Sequence, residues 1–472
     1  MTMKPMQLLA LTAALTIAAC GGSNEQTAGI DARGNPVRVG VVSKGTITGF
    51  GSIIVNDVTF DTGNALFGID GRGGSQSDLA VGDVVVVVGT INDDGTSPVA
   101  DTVTFDDVVE GPITDIDLVA ETLTVLGQLV RVDADTSFDD SIVPAELDGL
   151  NLTDIIEISG FVLADGSVSA TRIELKPAGG ELEITGDVSN VVGTTFEING
   201  LVVDFSAAML ENFPSGAPED GHRVEAKGDS LNGAGQLAAT RVEYKGNDLG
   251  EDGDLAELEG FITRFASASD FDVEGVQVTT SVQTAFENGT SADLALNRKV
   301  EVEGEINAAG VLIAANVEIK ASGFVRIESL VEAVGANQLT VLGIVVRVNA
   351  STRLEDKSAE DREPFNLSHI VVGNYVEIRG YENAGGVVAT LLEREDFQGD
   401  VALRGFVEAV NDPEFIILGV DISTGIATDF VDVDGSDLDA AAFFSQALGR
   451  LVEASGTLIG ASIDAGEVEF EN

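Results

Sequence analysis

The chain has 472 residues, 79 of them acidic and 25 basic, for a formal net charge of −54 at pH 7. That balance repels nucleic acid, anionic lipid and other polyanions, while a hydrophobic content of 44% excludes a disordered acidic tail. One cysteine in the whole chain excludes disulfides within it and a cysteine-rich zinc site.

Residues 1–19 read as a secretory signal. Lys4 stands near the start, and the apolar run from Leu8 to Ala19, broken by Thr12 and Thr16, is too short for a membrane span. The run Ile17-Ala18-Ala19-Cys20 resembles the lipobox of bacterial lipoproteins, and that resemblance implies cleavage before Cys20 and acylation of its thiol. Acyl chains contribute roughly 0.8 kcal/mol per buried CH₂, so two or more anchor stably. By the same resemblance Gly21, standing where aspartate would retain the protein, favours the outer membrane, with the periplasmic or surface face left open. Residues 20–43 are then a lipidated linker, and since no later run reaches the ~20 apolar residues of a membrane helix, the body is expected in water.

From there the chain repeats itself. A strand ending in glycine recurs six times, at Gly89, Gly160, Gly228, Gly304, Gly380 and Gly456. Sequences such as Val300-Glu301-Val302-Glu303-Gly304 alternate apolar and polar residues, as a strand with one buried face does. A second glycine opens each unit, at Gly45, Gly111, Gly186, Gly260, Gly323 and Gly405, 63 to 82 residues apart. This is too long for a one-hairpin solenoid and suits a small closed module. The expected modules are residues 44–107, 109–176, 181–246, 255–320, 323–395 and 401–472, with 247–254 as a flexible acidic linker.

Between the markers lie two strands and a polar connection. Leu123 to Val132 and Leu339 to Val348 are nearly the same sequence, with Gly127 and Gly343 at a tight turn or bulge. Short stretches of helical character precede the glycine-ended strand, at Pro144 to Leu150, Ser291 to Leu296 and Ala440 to Leu448, and one more strand closes each unit. The expected fold is therefore all-β, a tandem array of about six small OB-like barrels. Barrel closure protects the edges of units this small, and beads with limited mutual contact are expected.

The first unit carries the most specific pattern: Gly45-Thr46-Ile47-Thr48-Gly49-Phe50-Gly51-Ser52-Ile53-Ile54-Val55-Asn56, then Ile69-Asp70-Gly71-Arg72 and Val81-Gly82-Asp83 before the glycine-ended strand. It resembles the domain of unknown function 5666 family, closely over residues 44–107 and at pattern level beyond. The resemblance implies an exported, repeat-built, all-β lipoprotein and transfers no catalytic or binding residue.

Catalytic signatures are missing. His222 and His369 are the only histidines, in loop-like stretches of different units, and acids are too abundant for any pair to stand out as an acid and base for glycoside cleavage. The chain has no tryptophan and three tyrosines, few platforms for sugars. Gly49-Phe50-Gly51-Ser52 lacks the lysine and helix of a phosphate loop. Only Asp432, Asp434, Asp437 and Asp439, spaced around Gly435, suggest a site: a calcium loop, although without full EF-hand order. The sequence thus points to a non-catalytic envelope lipoprotein without a cofactor, displaying its modules as a scaffold or binding array. Its expected partners are the membrane and an envelope or extracellular protein or polysaccharide, not nucleic acid. A calcium-dependent adhesion or matrix protein is the alternative, ahead of a polysaccharide- or peptide-active enzyme.

Overall fold

Each unit opens on a long strand whose alternating side chains fill one barrel, and module 2 shows how the barrel closes. Its opening strand (Val109–Asp117) pairs with the first arm of a hairpin (Thr122–Val125, then Gln128–Arg131). The second arm runs parallel to the closing strand (Val168–Lys176), which is antiparallel to the glycine-ended strand (Ile155–Val162). That strand returns to the opening one. This OB-like order is repeated in modules 4, 5 and 6. Module 1 closes through a single bridge, Asp61 to Val99. In module 3 the opening strand breaks at Val188, and its second part (Ser189–Val192) pairs with the hairpin. The computed structural model describes residues 38–471 apart from 93–95, 97, 134, 247–248, 321–322, 384–385 and 398. The signal segment and Cys20 lie outside the described residues.

The glycines of the sequence pattern have steric causes. Each strand expected to end at its glycine runs two or three residues past it, with a β-bulge at the glycine, as between Arg379 and Gly380. A Cβ on Gly380 would lie 2.1 Å from the Val388 carbonyl oxygen, and one on Gly304 would lie 2.1 Å from that of Ile313. The hairpins turn on two residues with positive φ, such as Leu126 (48°) and Gly127 (77°) or Leu342 (51°) and Gly343 (74°), the twist-matched geometry for two-residue loops. The Leu126 side chain then folds back over Gly111, where a Cβ would stand 2.6 Å from its Cγ.

That register corrects one marker. Gly111, Gly186, Gly260 and Gly405 face Ile156, Val224, Val300 and Val452, but in module 5 the residue facing Val376 is Ser329, not Gly323. Gly323 precedes the strand Val325–Val334. Of the three stretches read as helical, residues 440–446 form the α-helix found among the described residues, and the other two shorten to 3₁₀ turns at Leu147–Gly149 and Ser291–Asp293.

The modules are not beads. Modules 2 and 3 join through their opening strands, with Val109 and Glu110 opposite Ile184 and Glu183, and modules 5 and 6 join likewise through Arg326–Glu328 and 402–404. Module 1 begins earlier than expected, its first strand running from Arg38 through residues read as linker, and it skips module 2 to pair in parallel with module 4, Val41–Lys44 against Leu255–Leu258. Modules 2 and 3 share one apolar core, as do 5 and 6. Each buried Val, Leu or Ile in them contributes roughly 1.5–3 kcal/mol relative to exposure. The acidic stretch expected to flex is packed over its described part, with Leu249 against the module 4 core and the Gly253 amide donating to the Ile306 carbonyl at 2.8 Å.

Candidate functional site

The outward faces of the strands carry a charge pattern that single-strand reading does not reveal. Glu157 lies opposite Glu174, Glu225 opposite Glu243, Glu301 opposite Glu318, Glu377 opposite Glu393 and Glu453 opposite Glu469. Like charges directly opposite destabilise a sheet unless something neutralises them. In modules 2, 3 and 4 a lysine two residues beyond the second glutamate does so. Lys176 lies 2.7 and 3.1 Å from Glu157 and Glu174, Lys245 lies 2.8 and 3.4 Å from Glu225 and Glu243, and Lys320 lies 2.7 and 2.6 Å from Glu301 and Glu318. In modules 5 and 6 that position is acidic, Glu395 and Glu471, and arginines take over in module 5, with Arg379 2.5 Å and Arg326 3.2 Å from Glu377.

The first glutamate of each pair in modules 2 to 5 is buried, and arginines bridge the modules beside them. Arg172 of module 2 reaches Asp83 of module 1 (3.9 Å) and Glu355 of module 5 (3.6 Å), and donates to the Val81 carbonyl at 3.2 Å. Arg353 and Arg379 of module 5 donate to the backbone of module 2, at Thr171 (3.1 Å) and Thr136 (3.0 Å). Burial pushes Asp83 and Glu301 up to about 7. Glu259 is held at about 2 despite burial, by Lys299 and Lys320 and by the Thr46 amide, which donates to it at 2.8 Å.

Modules 1, 2, 4 and 5 line a half-open cavity of about 230 Å³. Its wall includes Thr46, Asp135, Glu259, Lys299, Arg353 and Tyr381. Within it Lys299 is engaged by Glu259 at 2.8 Å. Three groups of carboxylates have oxygens within 4.8 Å of one another among the described residues: Asp70, Asp107 and Glu183; Asp107, Glu110 and Glu157; and Glu377, Glu393 and Glu395.

Sequence-predicted positions fall elsewhere. His222 accepts from the Glu219 amide at 3.1 Å and packs edge-on against Tyr244. It stands where module 1 has Asp83, which holds the Ala80 amide at 2.8 Å in the same turn. His369 accepts from the Asn366 amide at 3.2 Å as part of a 3₁₀ cap. Asp432, Asp434, Asp437 and Asp439 are not among the three carboxylate groups. Asp432 accepts from the Val433 amide at 2.9 Å, Asp434 from Ser436 at 3.1 Å, and Asp439 caps the helix through Ala442 at 2.7 Å, while the backbone at Asp437 bridges to Val431. Asp70, Asp107, Glu110, Glu157 and Glu183 escaped sequence reading because strand register aligns the three glutamates and the packing of module 1 brings the two aspartates to them.

The family model described as Domain of unknown function (DUF5666) matches the chain six times, at residues 39–104, 110–174, 185–243, 259–318, 328–393 and 404–469. The chain belongs to the DUF5666 family. The likeness seen closely in the first unit therefore holds for all six, and the fifth DUF5666 match contains Ser329 and leaves out Gly323. None of the curated proteins compared with the chain matches it. Among the described residues no helix is long and apolar enough to cross a membrane.

Proposed function

We propose that this six-module DUF5666 protein is a non-catalytic, lipid-anchored envelope protein whose modules form one scaffold for an envelope or extracellular protein or polysaccharide. The observation that supports this reading most is the pairing of module 1 with module 4 across two intervening modules. Repeats that served as six separate ligand sites would keep equivalent faces free. Here the equivalent glutamate rows are covered at module junctions, with Glu157, Glu225, Glu301 and Glu377 all buried. The repeats build a platform, and the anchor follows from the lipobox-like residues ending in Cys20.

Labelling cells with a palmitate analogue tests the anchor: the protein takes up label, and Cys20→Ser does not. Photo-crosslinking in intact envelopes, followed by identification of the captured component, tests the scaffold. Turnover of a polysaccharide or peptide that vanishes when one carboxylate is replaced would overturn the non-catalytic reading.

A further inference from the structure

Where modules 1, 2 and 3 meet, glutamates line up across four adjacent strands. Glu183 faces Glu110, Glu110 faces Glu157, and Glu157 faces Glu174. Ammonium groups hold the two ends of this row: Lys227 contacts Glu183, and Lys176 bridges Glu157 and Glu174 at 2.7 and 3.1 Å. Lys227 is also shared with Glu225 at 2.6 Å. The middle of the row adjoins Asp107, in the connection between modules 1 and 2, and Asp70, at the end of the module 1 strand Leu66–Ile69.

Asp107 is the distinguishing residue. It is 1% exposed, belongs to both carboxylate groups at this junction, and neither of its side-chain oxygens meets an N–H or hydroxyl donor, the Glu183 carboxyl lying within hydrogen-bonding reach instead. Glu183, 2% exposed, likewise has one unpartnered oxygen, Oε1. A buried carboxylate left without a partner costs several kcal/mol or more, so a proton or a cation must meet it. A proton shared between two carboxyl groups neutralises one charge and serves one oxygen of each. The five carboxylates gathered here have two lysines in contact, each also held by a further glutamate.

We propose that this junction is a calcium site, in which Asp70, Asp107 and Glu183 hold one ion and Glu110 and Glu157 form the adjoining acidic wall. Calcium takes oxygen ligands at about 2.3–2.6 Å, which places opposite ligands about 4.6–5.2 Å apart. The oxygens of the three residues lie within 4.8 Å of one another, close enough for all three to reach one ion. Because the three ligands come from module 1, the connection after it and module 3, the ion would tie together modules that are not sequence neighbours. The site is distinct from the acidic loop around Gly435 and does not depend on the lipid anchor.

The test uses the full chain, first stripped with chelator and then titrated with calcium chloride at neutral pH, read by calorimetry and by thermal midpoint. Wild type is expected to bind calcium saturably and to gain in midpoint. Asp107→Asn, which keeps the shape of the side chain, is expected to weaken binding at least tenfold while its circular dichroism is unchanged. Asp434→Asn should bind as wild type does. If Asp107→Asn does not fold, Asp70→Asn, at a partly exposed position, carries the same expectation. Absence of heat and of any midpoint gain at millimolar calcium overturns the proposal, as does calcium binding that survives the replacements. A midpoint raised by Asp107→Asn to the same extent with and without calcium also overturns it, because a shared proton would then account for the buried carboxylates.

Discussion

Glu301 and Glu318 lie directly opposite each other on antiparallel strands, and the ammonium of Lys320 stands 2.7 and 2.6 Å from their carboxylates. The same lysine also favours the ionised form of Glu259. Lys320 thus faces a row of three glutamates, since Glu259, itself paired with Lys299 at 2.8 Å, lies opposite Glu301 on the opening strand.

Lys320→Met should therefore destabilise the protein by about 3 kcal/mol at pH 7.5, the size expected when one partner of a buried ion pair is removed. The loss should shrink at pH 5, where Glu301 takes up a proton, and adding Glu301→Gln should recover part of it. Urea denaturation of both variants at the two pH values checks this. A loss independent of pH would show that the lysine acts by packing alone.

Stability should fall as pH rises from 5 to 8. Asp83, Glu301, Glu395 and Glu471 are each pushed up to about 7, chiefly by burial. A carboxylate with a raised folded value binds its proton more tightly when folded. Its stabilisation is full below the unfolded value, near 4, and is lost as pH climbs through 7. Glu259, held at about 2 by its lysines against burial, contributes in the opposite sense, losing its stabilisation only as pH falls from its ordinary value towards 2. The growing negative charge adds self-repulsion in the same alkaline direction. Thermal midpoints measured in chelator across this range should decline, and a flat or rising profile would contradict the assignment.

Much of the module was legible in the sequence because its glycines answer to local geometry. The bulge at Gly380 and the hairpin at Leu342-Gly343 each leave a residue-level trace. Gly323 is a false marker because the equivalent position, six residues on, holds Ser329 and so carries no glycine to read. Module pairing was not legible: Val41–Lys44 carries nothing to distinguish a partner in module 4 from one in module 2. The Glu-x-Lys signature of residues 174–176, 243–245 and 318–320 is plain in the sequence, yet its meaning depends on the register that sets a second glutamate opposite.

Gly380→Ala should cost about 2–4 kcal/mol, because its Cβ would meet backbone rather than a yielding side chain, 2.1 Å from the Val388 oxygen. Modules 5 and 6 share a core, so both should melt together. Gly73→Ala, where a Cβ meets nothing within 4 Å, should change stability by less than about 0.5 kcal/mol. Comparing the two by calorimetry separates steric exclusion from the general effect of losing a glycine.

The pairing of module 1 with module 4 makes a prediction about size. A globule of this length has a radius of gyration of roughly 22 Å, from the scaling of compact chains. Six barrels strung end to end would measure far more. Small-angle scattering of the chain from residue 38 onward should give a value within a few ångströms of the compact figure. Disrupting the parallel pair offers the matching control. Val42→Pro removes a backbone donor from the strand that also pairs antiparallel with Val84–Asn92, at a residue facing both Ala256 and Val88. It should loosen module 1 from module 4 and raise the radius, while modules 5 and 6, joined through Arg326 and Arg404, keep their own melting transition. A radius already large in wild type, and unchanged by Val42→Pro, would mean that the modules are strung as separate beads in solution.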